Sequence, residues 1–140
     1  MQKIFNLTST FKSVEANEDG SVNIKGYAST NDTDRAGDVI DKEAWEKGGL
    51  DNFGNNPIIL FNHDYNRPIG RATGLETDDR GLKLTANISK SAGDVTNLVK
   101  EGILRAFSVG FRVKDADYIE ETDGLKISDA ELFEISVVSV

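Results

Sequence analysis

The sequence predicts an α+β domain that is mainly β: a β-barrel or tightly folded sheet with peripheral helices. Three observations predict it. Short apolar segments with strand-like alternation recur along the chain. Thirteen glycines and only two prolines cut the chain into short pieces. Helix signals occur in only two places, near Asp41 and near Ser91. No repeat or low-complexity segment is present, so the 140 residues fit a single domain spanning 1–140. A chain of this length buries roughly two-thirds of its unfolded surface and needs no disulfide or metal to fold.

The N-terminal part alternates like strands. Val22, Ile24 and Tyr27 belong to a strand after the turn Asn17-Glu18-Asp19-Gly20. Asn31 to Asp38 is a polar loop. A helix over Asp41–Lys47 is capped by Asp41 and ended by Gly48-Gly49. Pro57 opens the apolar strand Ile58-Ile59-Leu60-Phe61, which leads into His63. Strands over Ile69–Leu75 and Leu82–Ile88 flank the turn Asp78-Asp79-Arg80-Gly81. Ser91 to Leu104 reads as a helix capped by Ser91, with Asp94 at its positive end and Val95, Leu98 and Val99 as its apolar stripe. Arg105–Val113 is a strand. A hairpin through Glu121-Thr122-Asp123-Gly124 leads to Leu125-Lys126-Ile127, and Leu132–Val140 is the last apolar strand. That strand stops while still apolar, whereas termini are more often polar. The expectation is a trimmed or self-processed product of a longer chain; a boundary chosen for expression explains it equally well.

Composition removes several function classes. The chain has no cysteine and one histidine, which excludes cysteine nucleophiles, disulfides and multi-histidine zinc sites. Its 24 acidic against 16 basic residues give a net charge of −8, a surface that repels phosphate backbones, so no nucleic-acid partner is expected. The opening Met1-Gln2-Lys3-Ile4-Phe5 lacks the apolar run of a signal peptide. No stretch approaches the roughly 18 apolar residues of a membrane span. A soluble, intracellular domain with no cofactor and no membrane partner is the expectation.

Three side chains stand out chemically. Along Ala106–Val113, Phe107, Val109, Phe111 and Val113 share one apolar face, and Ala106, Ser108, Gly110 and Arg112 share the other. A hydroxyl, a glycine that admits a substrate backbone and a cation make an unusual set for a packing strand. On the pattern alone a structural serine is still the commoner case. His63 follows the strand Ile59–Asn62 with the parity of Ile59 and Phe61. It is the chain's one candidate proton acceptor for a serine hydroxyl, although a hydrogen-bonded structural histidine is the commoner occurrence. A serine needs a base, and the base an orienting group. Glu134, inside an otherwise apolar strand, is the foremost carboxylate, because a buried charge is costly unless paired. An ion pair with Arg71 or Arg112 would explain it structurally. Asp64 points to the opposite face, and Glu131 and Asp129 lie nearer the turn. Asp32–Glu43 also resembles a calcium loop, with acids at positions one, three and twelve and glycine at six. Its fifth position is Ala36 and a strand precedes it, so a polar loop with Asx-turns explains the same residues.

Five stretches in order resemble the prohead proteases of tailed phages. They are Gly26-Tyr27-Ala28 with Asp34–Ile40, Pro57–Asp64, Pro68-Ile69-Gly70, Leu104–Phe111 and Leu132–Val140, and they cover nearly the whole chain. The resemblance implies a serine endopeptidase with a herpesvirus-assemblin-like β-barrel. It makes Ser108 the nucleophile and His63 the general base. Assemblins use a second histidine as third member; this chain has none, and Glu134 lies in the comparable stretch. Gly110 N–H and Arg112 are oxyanion candidates by closeness in sequence. The implied substrates are capsid-protein and scaffold segments inside the prohead, in the host cytoplasm, and the protease itself, with a homo-oligomer as the expected partner state. The alternatives are a non-catalytic barrel of a capsid or tail assembly, which predicts Ser108 far from His63, and the calcium-binding module.

Overall fold

The computed structural model describes residues 4–34 and 36–139, with side chains from Asn6 onward. Met1-Gln2-Lys3 of the N-terminus, Arg35 of the polar loop and the final Val140 lie outside the described residues. The strands are β1 (Ile4–Thr10), β2 (Ser13–Ala16), β3 (Val22–Thr30), β4 (Val39–Ile40), β5 (Ile58–Phe61), β6 (Asp64–Asp78), β7 (Gly81–Ile88), β8 (Ala106–Ile119) and β9 (Gly124–Val138). Among the described residues they form one sheet in the order β1-β8-β9-β5-β6-β7-β3-β2, with β4 added along β9. The β5–β9 and β4–β9 pairs are parallel and the others antiparallel.

The two ends of this order are consecutive in sequence, which is how the sheet curls. At the corner between β1 and β2, the N–H of Phe11 donates to Arg105 O at 2.7 Å and the N–H of Lys12 to Lys25 O at 2.7 Å. The chain thus leaves the β8 side and joins the β3 side within two residues. The mainly-β expectation holds.

Alternation decides what lies inside. Val22, Ile24, Leu84, Ile88, Phe107, Val109, Ile135 and Val137 are buried in one core. Each such side chain contributes about 1.5–3 kcal/mol of transfer free energy. Trp45 closes one end, edge-on to Phe111 with ring centroids 5.6 Å apart.

The helices differ from expectation. Asp41–Lys47 is only a 3₁₀ turn, Lys42–Trp45, and Asp41 makes no side-chain cap. It serves to bury Ala44 and Trp45. The chain then turns through Gly48 and Gly49 into α1 (Asp51–Asn55), a helix that the two glycines and Gly54 disguised. A Cβ on Gly49 would lie 1.8 Å from Ala130 O, so glycine is what lets this turn press on β9. The second helix is split. Ser89, not Ser91, caps a 3₁₀ turn over Lys90–Ala92, and Gly93 at φ +60° separates it from α2 (Asp94–Lys100). Val95 and Val99 are buried as the stripe predicts. The two predicted C-terminal strands are one, β9, kept continuous by bulges.

Candidate active site

The centre of the site is the β8–β9 ladder. Ser108 pairs with Ser136, and Gly110 pairs with Glu134. Their neighbours Phe107, Val109, Ile135 and Val137 face the core, so alternation sends these four residues to the opposite face of the sheet, where Ser108, Ser136 and Glu134 are nonetheless buried. The register then steps from Gly110–Glu134 to Phe111–Leu132, leaving Phe133 as a bulge. Bulges of this kind re-aim the adjacent side chain, here Glu134.

His63 reaches this face from a turn. Phe61 pairs with Asp64, so Asn62 and His63 form a two-residue connection, both left-handed at φ +50° and +60°. This is the twist that suits a tight hairpin. The sequence parity had placed His63 on a strand continuation; the strand ends at Phe61 instead. The turn is bound to β9 from outside. Asn62 N–H donates to Val137 O at 2.9 Å, and Ser139 N–H donates to Asn62 Oδ1 at 3.1 Å. His63 N–H donates to Ser136 Oγ at 3.0 Å.

Glu134 is 8% exposed, a burial that demands partners. It has them. Oε1 meets His63 Nδ1, and Oε2 accepts the Ser136 hydroxyl at 2.8 Å. Neither Arg71 nor Arg112 takes that place. Ser108 and His63 both contact Ser136, against the wide separation that a non-catalytic barrel predicts. Asp64 turns away and accepts from Asn66 N at 2.8 Å.

Gly110 and Arg112 are placed otherwise than their closeness in sequence suggested. Gly110 pairs with Asn6 on one side and Glu134 on the other, so its N–H belongs to the ladder. Its lack of a side chain serves the carboxylate, since a Cβ there would stand 2.8 Å from Glu134 Oε1. Arg112 binds Glu131 at 3.0 Å, and it lies four residue steps along the strand from Ser108, about 13 Å. Ser136, which links all three leading residues, was missed. Its available signal was its spacing of two from Glu134, which puts both on one face.

Beside Glu134 lies a cleft of about 470 Å³, bordered by α1, β5 and the start of β6 and lined by Phe53, Ile58, Leu60, Tyr65, Pro68 and Phe133. The calcium reading fares worse. Asp34 Oδ1 accepts from Ala36 N and Asp38 N, both at 2.9 Å, and Asp38 Oδ1 accepts from Leu125 N at 2.8 Å. Those are Asx-turn and loop-fastening bonds, and no metal-holding cluster occurs among the described residues.

The curled, mainly-β sheet is also the fold of a known protease. The solved structure of the bacteriophage T4 capsid assembly protease matches with a TM-score of 0.70 at 12% identity, over 97% of this chain and 98% of that one. The sequence is more specific: residues 9–140 match the model of the caudovirus prohead serine protease family, and the chain belongs to that family. The prohead protease of Escherichia phage T5 is 44% identical over 137 residues, 96% of this chain and 65% of that protein. The capsid polyprotein of Pseudomonas phage PAJU2 is 28% identical over 91% of this chain. The chain spans 65% and 20% of the lengths of these two relatives.

Proposed function

We propose that the chain is the catalytic part of a serine endopeptidase that cleaves capsid-protein and scaffold segments, and its own chain, within the phage prohead. The observation that carries the chemistry is the His63–Glu134 contact, made on the same face as Ser108 and joined to it through Ser136. Family membership supports the reaction class. The relative named capsid polyprotein, most of whose length lies outside the matched region, supports capsid protein as the substrate.

Glu134 Oε1 accepts the hydrogen on His63 Nδ1, which leaves the Nε2 lone pair as the base. Nε2 takes the Ser108 proton while Oγ bonds to the scissile carbonyl carbon. The tetrahedral intermediate collapses, the C–N bond breaks, and His63 returns the proton to the departing amine. Water then repeats the sequence and releases the acid. Glu134 stays ionised and stabilises the imidazolium. The cleft beside Glu134, where apolar side chains mix with Asn52 and Asn56, supports a side-chain subsite two strands from Ser108, about 10 Å away at sheet spacing.

The test is the intact mass of the full-length protein incubated with its phage's capsid protein, wild type beside Ser108→Ala. Wild type is expected to produce defined fragments, and Ser108→Ala to lose about 10⁴-fold or more in rate. Full activity in Ser108→Ala sinks the assignment.

A further inference from the structure

Ser136 has no part in the reaction written above, yet its bonds are unusual. The residue is fully buried, at 0% exposure. A serine in that position commonly returns its hydroxyl to nearby main chain. Here Oγ lies 2.8 Å from Glu134 Oε2 and 3.0 Å from the main-chain nitrogen of His63. Donor and acceptor roles follow from the partners: an ionised carboxylate only accepts, and an amide N–H only donates. The single hydroxyl hydrogen goes to Glu134, and an oxygen lone pair receives His63 N–H. Both capacities of one small side chain are used on the two halves of the same pair.

We propose that Ser136 is a positioning residue of the active site, a hydroxyl bridge that fixes the Glu134 carboxylate and the His63 turn relative to each other. The inference rests on the roles assigned to His63 and Glu134 under the proposed function. With Oε1 on the imidazole and Oε2 on Ser136, both carboxylate oxygens are tied and the group cannot rotate away from Nδ1. A fixed carboxylate holds the hydrogen on Nδ1 and keeps Nε2 free for Ser108. The same oxygen anchors the main chain of His63 at φ +60°, a conformation L residues rarely hold without support. Ser136 also stands directly across the ladder from Ser108, so the bridge is built next to the nucleophile. Spacing carries the design. Residues 134 and 136 share a face, and any other offset would separate hydroxyl and carboxylate.

The experiment uses the full-length protein and a peptide spanning a cleavage point mapped by the mass measurement above. Ser136→Val and Ser136→Thr are nearly equal in size and differ in the hydroxyl. Ser136→Val is expected to lose about 10- to 100-fold in kcat, by analogy with the loss when an outer-shell partner of a metal-bound imidazole is removed, with little change in KM. Ser136→Thr is expected to recover most of that loss. The low-field proton signal of the His63 Nδ1–H, read in a Ser108→Ala background where no turnover intervenes, is expected to shift or broaden in Ser136→Val and to return in Ser136→Thr. Equal kcat in the two variants, or an unmoved signal in Ser136→Val, overturns the bridge. If the larger side chains prevent folding, Ser136→Ala is compared with wild type on the same readouts and the same criteria. Peptidase activity surviving in Ser108→Ala itself would defeat the proposed function, and that result is read separately from the signal.

Discussion

Strand β6 begins and ends at tight turns, and the two are built in opposite ways. The turn at its end is closed by its own side chain and then braced from Asn31, whose N–H donates to Arg80 O at 2.9 Å and whose Nδ2 donates to Asp79 O at 2.7 Å. Asp78 Oδ1 accepts from Arg80 N at 2.8 Å and Gly81 N at 3.3 Å, an Asx-turn closed by its own first residue. The turn at its start has no such device. Asn62 and His63 are left-handed without glycine, and their bonds run to Val137, Ser136 and Ser139 on the far end of the chain. Each L residue held there costs roughly 1–2 kcal/mol, which β9 must offset. The first kind of turn shapes a strand; the second aims a side chain. Strain supported from outside belongs where the chemistry is.

The largest effects should come from breaking what the Asn62–His63 turn presents. His63→Ala is expected to lower peptidase activity about 10⁴-fold while the protein still folds, because the imidazole is half-exposed and Glu134 keeps its bond from Ser136. Glu134→Gln keeps the shape and removes the charge; it is expected to lower kcat by about 10²- to 10⁴-fold with little change in KM, as a wrongly held imidazole does. Peptide hydrolysis by both variants, with circular dichroism as the folding control, decides this. An active Glu134→Gln would remove the carboxylate from the mechanism.

The same contrast explains what could be read in the sequence. The Asp78–Gly81 turn was legible because Asx and glycine preferences act within four residues. The two faces of β8 were legible because alternation is local, and so Ser108 stood out against Phe107 and Val109. Glu134 was legible as an expensive charge in an apolar strand, and His63 as the one imidazole. Their pairing was the foremost candidate on chemical grounds, but no local pattern could place it, since it joins residues 71 apart in the chain. Ser136 looked like one more strand serine because its role exists only through His63, 73 residues away. Gly110 drew attention for its missing side chain, but the neighbour that needs the room, Glu134, could not be read from the strand pattern. The polar stretch Ser128-Asp129-Ala130-Glu131, with its bulge at Ser128, interrupted the apolar alternation, so β9 read as two strands.

Damage to the Asp78–Gly81 turn should separate stability from chemistry. Gly81 sits at φ +145°, and a Cβ there would lie 2.2 Å from Ser29 O on β3. Gly81→Ala must push two strands apart. A loss of about 1–3 kcal/mol is expected from overpacking, seen as a Tm lower by several degrees. The kcat per folded molecule should stay at the wild-type value, because β9 rather than Asp78–Gly81 holds His63. A fall in kcat without a fall in Tm would show that strain at one end of β6 reaches the other.

The smallest effect sharpens the comparison through pH. The Tyr27 hydroxyl, 2.5 Å from Asp78 Oδ2, is the main cause holding the Asp78 carboxyl below its ordinary 3.8, with the Arg80 N–H next. The same bond raises the Tyr27 hydroxyl above its ordinary 10.0. A lowered carboxyl favours the folded state above its ordinary value, and the benefit fades as pH falls through the lowered one. A raised phenol favours the folded state below 10.0, and the benefit fades as pH rises past it. Tyr27→Phe keeps the ring under the Arg80 guanidinium, 5.4 Å away in the wild type, and removes only the hydroxyl. Wild type should therefore melt slightly above Tyr27→Phe on a plateau between those limits, and the gap should close below pH 3.8 and above pH 10.0. Thermal melts at pH 3, 6 and 10.5 measure it. Because Asp78 is solvated and none of the turn's partners belongs to β9, the gap should be small everywhere and peptidase activity should not follow it. A gap that widened in acid would mean that the bond stabilises a protonated Asp78 rather than the carboxylate.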